Sequence, residues 1–163
     1  MIQIRFLDDQ ERVLEIADIN SLEGANLNGL SLHRAKFERS SLIGAKLRAS
    51  DLRGALLTET NFSDADLTGA SLINALAKGA RFSGANLTNA MLVAGFYENA
   101  DFQNANLEGA DVGMANFSVA NLRGAKMKCA RLETAVLSGA VYDSKTVWPN
   151  GFDPERAGAV RAQ

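Results

Sequence analysis

The sequence predicts an all-β solenoid, from a five-residue period, an alternation of large and small inward residues, and many turn-forming residues. From Leu22 to Tyr142 every fifth residue is large and apolar, with Ala77 as the exception. On an α-helix this period would spread the leucines over every face, and on a flat strand it would alternate them between faces. The 14 glycines and the frequent Asn and Asp also disfavour continuous helix. A chain that turns one corner per repeat directs all the large residues to a common axis.

Each repeat has one large and one small inward position. The large, or central, position occurs 25 times, and the residue two before it is Ala in 19 of these repeats. The residue just before the central one, which we call the outward residue, is often Asn or Asp, as in Asn86 before Leu87. The two residues after the central one form the corner, where glycine suits tight backbone turning.

The tandem Ala-(Asp/Asn)-Leu-x-x motif resembles the signature of the pentapeptide-repeat family. The resemblance covers residues 20–144 and implies a right-handed quadrilateral β-helix in which four repeats make one square coil, about six coils in all. It divides the chain into an N-terminal β-hairpin cap (1–19), the repeat β-helix (20–144) and a C-terminal cap and tail (145–163).

The two predicted caps follow from the flanking sequences. Residues 1–6 and 12–16 alternate like strands around the polar residues 8–11, which predicts a hairpin. After the repeats, Trp148 and Phe152 are expected to plug the last coil, residues 149–151 to turn, and Asp153 to start a short helix. A tail of this kind resembles those of many bacterial members of the family.

Stacking residues 20 apart defines four faces, whose first central residues are Leu22 (face one), Leu27 (face two), Leu32 (face three) and Phe37 (face four). We expect two packing features inside.

On face one, Phe62, Phe82 and Phe102 follow one another, which predicts an offset aromatic ladder. On face four, Ala77 precedes the bulky Tyr97, which indicates volume compensation.

The outside of face four carries apolar residues where solvent-facing ones are expected. With those around the adjacent corner, they form the candidate interface, which we call the apolar patch: Leu56, Leu76, Phe96, Ile73, Met91 and Val93. Val136 lies further along the same column. A contiguous apolar patch usually marks a contact surface. The alternatives are a local register shift that tucks Leu76 or Phe96 inside, or a patch without a role.

The net charge of −2 conceals three bands, basic, acidic and basic. Residues 33–54 contain six basic and two acidic side chains. Residues 59–111 are mainly acidic, and residues 123–131 are basic. The bands are either solvated faces or a surface for a partner with complementary charge.

Little in the sequence indicates catalysis, and no catalytic, metal or cofactor site is predicted. His33 is the one histidine, and Cys129, the one cysteine, is expected to be a small corner residue. The alternative for Cys129 is a reactive thiol activated by Lys128 and Arg131. A single cysteine and no apolar membrane span predict a cytoplasmic protein that does not bind a membrane.

The function predicted is a non-enzymatic interaction or scaffold module with an unknown protein partner or a second copy of itself. Direct nucleic-acid binding is not expected. The resemblance also implies an alternative, because some family members mimic DNA and bind type II topoisomerases, protecting them from quinolones. The basic bands and the uninterrupted repeats depart from that pattern. A third hypothesis is an enzyme that uses Asp66 or Cys129.

Overall fold

The protein is described by a computed structural model that covers residues 1–7, 13–16 and 20–162. Its repeats form the right-handed quadrilateral β-helix that the family resemblance implies. Outward residues of successive coils make parallel β-bridges, as in Asn61 with Arg81 and Arg81 with Asp101. The amide of Phe62 donates to Arg81 O (2.7 Å), and the amide of Asn61 donates to Ser40 O in the preceding coil (2.9 Å). Each coil is thus paired on both sides, so the amides of the outward and central residues have acceptors.

The corners explain the Asn and Asp of the motif. Second corner residues have left-handed backbone, for example Asn89 with φ of 56° and Gly84 with φ of 68°. The outward Asn86 accepts a hydrogen bond through Oδ1 from the amide of Thr88, the first corner residue, at 3.1 Å. This side-chain bond closes the corner and satisfies an amide that the coil pairing does not use.

The interior packs as the stacked columns predict. Phe82 stacks on Phe62 and Phe102 with ring centroids 5.2 and 4.8 Å apart, so the aromatic ladder is confirmed. Tyr97 fills the space beside Ala77, stacks on Phe117 at 5.3 Å, and donates its hydroxyl to Leu72 O at 3.3 Å. The hydroxyl of this fully buried ring therefore has an acceptor.

Two antiparallel strands, β1 (Ile2–Arg5) and β2 (Val13–Ile16), precede the repeats. Phe6 continues from β1 and forms an antiparallel bridge with Ala35, and the amide of Lys36 donates to Arg5 O at 2.8 Å. The hairpin segment thus pairs with the first coil on face four. The predicted turn at residues 8–11 lies outside the described residues.

The C-terminal segment returns to the β-helix. A short 3-10 helix spans Leu132–Thr134, and β3 (Val141–Tyr142) pairs in parallel with β4 (Val160–Arg161).

Trp148 packs edge-on to Tyr142 (5.6 Å) and stacks on Phe152 (5.4 Å), so these aromatics adjoin the last coil. That they plug it stays a prediction. The helix predicted at Asp153 is wrong. Residues 154–158 form turns, because the bond from the amide of Ala157 to Asp153 O is not continued into a helix.

The prediction for Cys129 as a corner residue is also wrong. Cys129 takes the small inward slot that the period assigns to Ala130, and its Sγ donates to Leu107 O at 3.4 Å. Ala130 is pushed outward and pairs with Asp111, 19 rather than 20 residues away. A cysteine in the inward slot gains a hydrogen bond from its thiol that an alanine there could not make. The turn moves to Arg131, at φ of 56°, and the 3-10 helix restores the phase.

Candidate functional site

The apolar patch lies on the outside of face four. Lys36, Leu56, Leu76, Phe96 and Asn116 form one continuous run of parallel bridges, each residue one coil from the next. Leu76 is 40% and Phe96 46% exposed, and Leu56 is half-buried.

The register-shift alternative is wrong. Ala77 and Tyr97, the residues that follow Leu76 and Phe96, are completely buried, so both central slots are filled. The apolar side chains therefore point outward in an undisturbed coil.

The corresponding outward columns of the other faces are largely polar. Face one has Ser41, Asn61, Arg81, Asp101 and Asn121; face two has Asn26, Lys46, Asp66, Asn86, Asn106 and Lys126; face three has Ser31, Asp51, Ser71 and Asp111 around Met91. Within residues 20–162, face four alone places three large apolar residues in succession. The fold therefore does not need apolar residues in the outward position.

The apolar residues of face four also lack the hydrogen bond that closes a corner after an outward Asn or Asp. Asn116, in the same column, accepts from the amide of Ser118 at 3.0 Å. Leu76 and Phe96 cannot accept such a bond, so the amides of Lys78 and Glu98 lack this acceptor. A hydrogen bond of this kind contributes about 0.5–1.5 kcal/mol. An outward Asn or Asp at these two positions would supply that bond.

The remaining patch residues adjoin this column. Ile73 and Val93 are half-buried first corner residues on the edge towards face three, and Met91 lies on face three, 41% exposed. Met114 and Val119, at the two corners beside Asn116, are 61% and 58% exposed and extend the apolar surface. The sequence analysis missed both, although the 20-residue spacing places them beside the column.

The patch has a basic N-terminal end. A shallow groove there is lined by His33, Arg34, Arg53, Ile73 and Leu76, among others.

Arg53 donates through Nε and Nη2 to Asp51 at 2.8 and 2.7 Å, and this bond holds the pKa of the Asp51 carboxyl below its ordinary value. Arg34 is exposed and makes no ion pair within the described part of the chain.

The residues considered for catalysis have structural roles. Burial raises the pKa of the Cys129 thiol to about 12, which disfavours the thiolate that a reactive cysteine needs. Asp66 accepts from both the amide and the hydroxyl of Thr68, at 3.1 and 2.6 Å, and so closes a corner. Over residues 1–7, 13–16 and 20–162, no three His, Cys, Asp or Glu side chains are grouped to hold a metal ion.

The charge bands are partly paired with each other. Arg39 of the first basic band bonds to Glu59 (3.0 Å), and Arg48 bonds to Asp66 (3.5 Å). The partners are largely exposed, and such pairs contribute at most about 1 kcal/mol each. Arg131 of the second basic band forms a two-point ion pair with Asp111, which the sequence analysis did not predict.

The repeats and the square coil together define a class of protein, the β-helical repeat proteins. The family model for pentapeptide repeats matches in eight copies over residues 21–54, 65–93 and 100–139, and the chain belongs to this family. None of the curated proteins matches this chain.

Solved structures of the family are similar to the chain. A pentapeptide-repeat protein from the Arabidopsis thaliana thylakoid lumen is 34% identical with a TM-score of 0.58, the match covering 60% of this chain and 68% of that one. Rfr23 from the cyanobacterium Cyanothece 51142 is 27% identical with a TM-score of 0.55, covering 77% and 89%.

The plasmid-mediated fluoroquinolone resistance protein QnrB1 is 16% identical with a TM-score of 0.51, covering 87% and 91%, a likeness of fold alone. No helix among the described residues is long and apolar enough to cross a membrane.

Proposed function

We propose that this chain is a non-enzymatic interaction module, a rigid rod that binds another protein through the apolar patch on face four. The observation that carries the proposal is the contrast between faces. The other three faces present largely polar outward residues, many of which close the next corner, whereas face four presents Leu56, Leu76 and Phe96 in succession. Contiguous exposed apolar surface favours protein contact, because burying it removes apolar area from water.

Site-specific photo-crosslinking in the cells of origin tests this function. A photoreactive phenylalanine analogue replaces Phe96, and a matched probe replaces Lys46, which is exposed on the opposite face. We expect the probe at position 96 to label a discrete protein band that the probe at 46 does not label. Leu76→Asp, one coil away, is expected to abolish that band.

Equal labelling from both positions, or labelling at 96 that Leu76→Asp leaves unchanged, would overturn the proposal. Circular dichroism of each variant checks that the β-helix is intact.

We rank the topoisomerase-modulating alternative below this function. The support for this alternative is a likeness of fold to QnrB1 at 16% identity. The exposed cations near the patch, such as Arg34, count against it, because they do not resemble the phosphates of a DNA duplex. A gyrase supercoiling assay with and without a quinolone tests it, and protection of the enzyme by the purified protein would reverse this order.

A further inference from the structure

We infer that the partner which fits the apolar patch is a second copy of this chain, in an antiparallel dimer whose two-fold axis crosses face four midway between Leu76 and Phe96. This inference rests on the proposed function and names the partner of that same surface. The argument is that the charged and apolar residues of face four pair with each other across such an axis.

Face four has three parallel columns that matter for self-association. The middle column holds Leu76 and Phe96, which are bridged to each other. The edge towards face three holds Ile73 and Val93, and the edge towards face one holds Lys78 and Glu98. Each pair is one coil apart, so the three pairs are side by side.

A two-fold axis that lies in the interface and runs across the rods reverses the order of the coils but keeps each edge on its own side. With the axis midway between the two coils, Leu76 faces Phe96 of the partner subunit. Ile73 then faces Val93 of the partner subunit, and Lys78 faces Glu98 of the partner subunit. Because the interface is isologous, each contact occurs twice.

Neighbouring registers lack this complementarity. An axis through the Leu76 coil places Lys78 opposite its own copy, and an axis through the Phe96 coil does the same for Glu98. A two-fold axis parallel to the rods exchanges the edges and sets Lys78 against the edge of Ile73 and Asn74. Opposed like charges or a charge on an apolar surface disfavour these arrangements.

Lys78 and Glu98 are both available for ion pairs across the dimer interface. Lys78 is exposed and makes no ion pair with any described residue, and the Oε1 atom of Glu98 accepts from Nδ2 of Asn116 at 2.7 Å, which leaves Oε2 available. One face of a short rod is small beside the roughly 800 Å² per partner of a stable interface. The dimer is therefore weak and concentration-dependent.

A charge-exchange experiment by sedimentation equilibrium tests the pairing. Lys78→Glu alone places two glutamates opposite each other at both contacts, and Glu98→Lys alone places two lysines there. Each is expected to weaken self-association about tenfold or more. An equal mixture of the two variants restores opposite charges at both contacts, so we expect a heterodimer at least as stable as the wild-type dimer.

Lys126→Glu, which changes a charge on face two, is the matched control and is expected to dimerise normally. Phe96→Asp is expected to abolish association, including in the mixture. A wild-type protein that stays monomeric at millimolar concentration overturns this inference, as does a mixture that associates no better than the single variants. Neither result affects the photo-crosslinking of a different protein, so failure of the dimer and failure of the proposed function are distinguishable.

Discussion

At the scale of single residues, the pair Gly95 and Tyr97 shows how one bulky side chain is accommodated in a narrow square interior. Gly95 occupies the small inward position that is usually Ala. A Cβ atom added there would lie 2.5 Å from Cε2 and 2.7 Å from the hydroxyl oxygen of the Tyr97 ring. The ring is held by Phe82, Phe102 and Phe117 around it and cannot move aside freely.

We therefore expect Gly95→Ala to lower the free energy of unfolding by about 1–3 kcal/mol, the usual cost of overpacking a core. Urea denaturation followed by circular dichroism measures the change. In a Tyr97→Leu background the ring is absent, so adding the methyl group should cost little or fill part of the space left.

The double-mutant cycle separates this account from a backbone effect. If Gly95→Ala costs the same in both backgrounds, the clash with Tyr97 is not the cause.

At the scale of the element, the repeat was predictable because each coil imposes the same requirement on its residues. A five-residue pattern suffices to place the aromatic ladder and the outward position of Leu76. The sequence could not place the corner near Cys129, because the five-residue period continues unbroken through it. The position of the corner depends on whether Cys129 or Ala130 occupies the small inward slot. The apolar patch could be located, but the hydrogen bonds absent beside it required coordinates.

The same shifted turn creates the ion pair of Arg131 with Asp111, which predicts a pH dependence. The hydrogen bond from Arg131 holds the pKa of the Asp111 carboxyl below its ordinary value of 3.8. A lowered pKa in the folded state means that the ionised group stabilises the fold. That stabilisation is present above pH about 4 and is lost as the pH falls through the folded-state pKa.

Asp111→Asn should therefore lose less stability than the wild type between neutral and acid pH. Asp51 and Asp143 also have lowered pKa values, so part of the wild-type acid sensitivity remains. Urea midpoints at both pH values measure the difference. Glu108→Gln, an exposed carboxyl change without an ion pair, is the matched control, and an equal pH response in Asp111→Asn and this control would contradict the prediction.

At the scale of the whole molecule, stability and interaction place opposite demands on face four. A freestanding rod is best served by Asn or Asp in every outward position, because these side chains close the following corner, as Asn86 and Asn116 do. An interaction surface is best served by apolar residues. Leu76 and Phe96 meet the second demand and not the first, which is what the proposed interaction function expects of this face.

Leu76→Asn measures this conflict directly. The variant loses the contacts of a side chain already 40% exposed but gains an acceptor for the amide of Lys78. Since such a bond contributes about 0.5–1.5 kcal/mol, we expect the free energy of unfolding of the monomer to stay the same or rise. Self-association and crosslinking from position 96 should be lost at the same time.

The matched variant Leu72→Asn changes a completely buried central residue on face three and should unfold the rod, with a loss of several kcal/mol, about 3 or more. If Leu76→Asn instead destabilises the monomer as Leu72→Asn does, then Leu76 serves the fold. The apolar column of face four would then be part of the core's support, because a residue kept for binding is expected to be dispensable for stability.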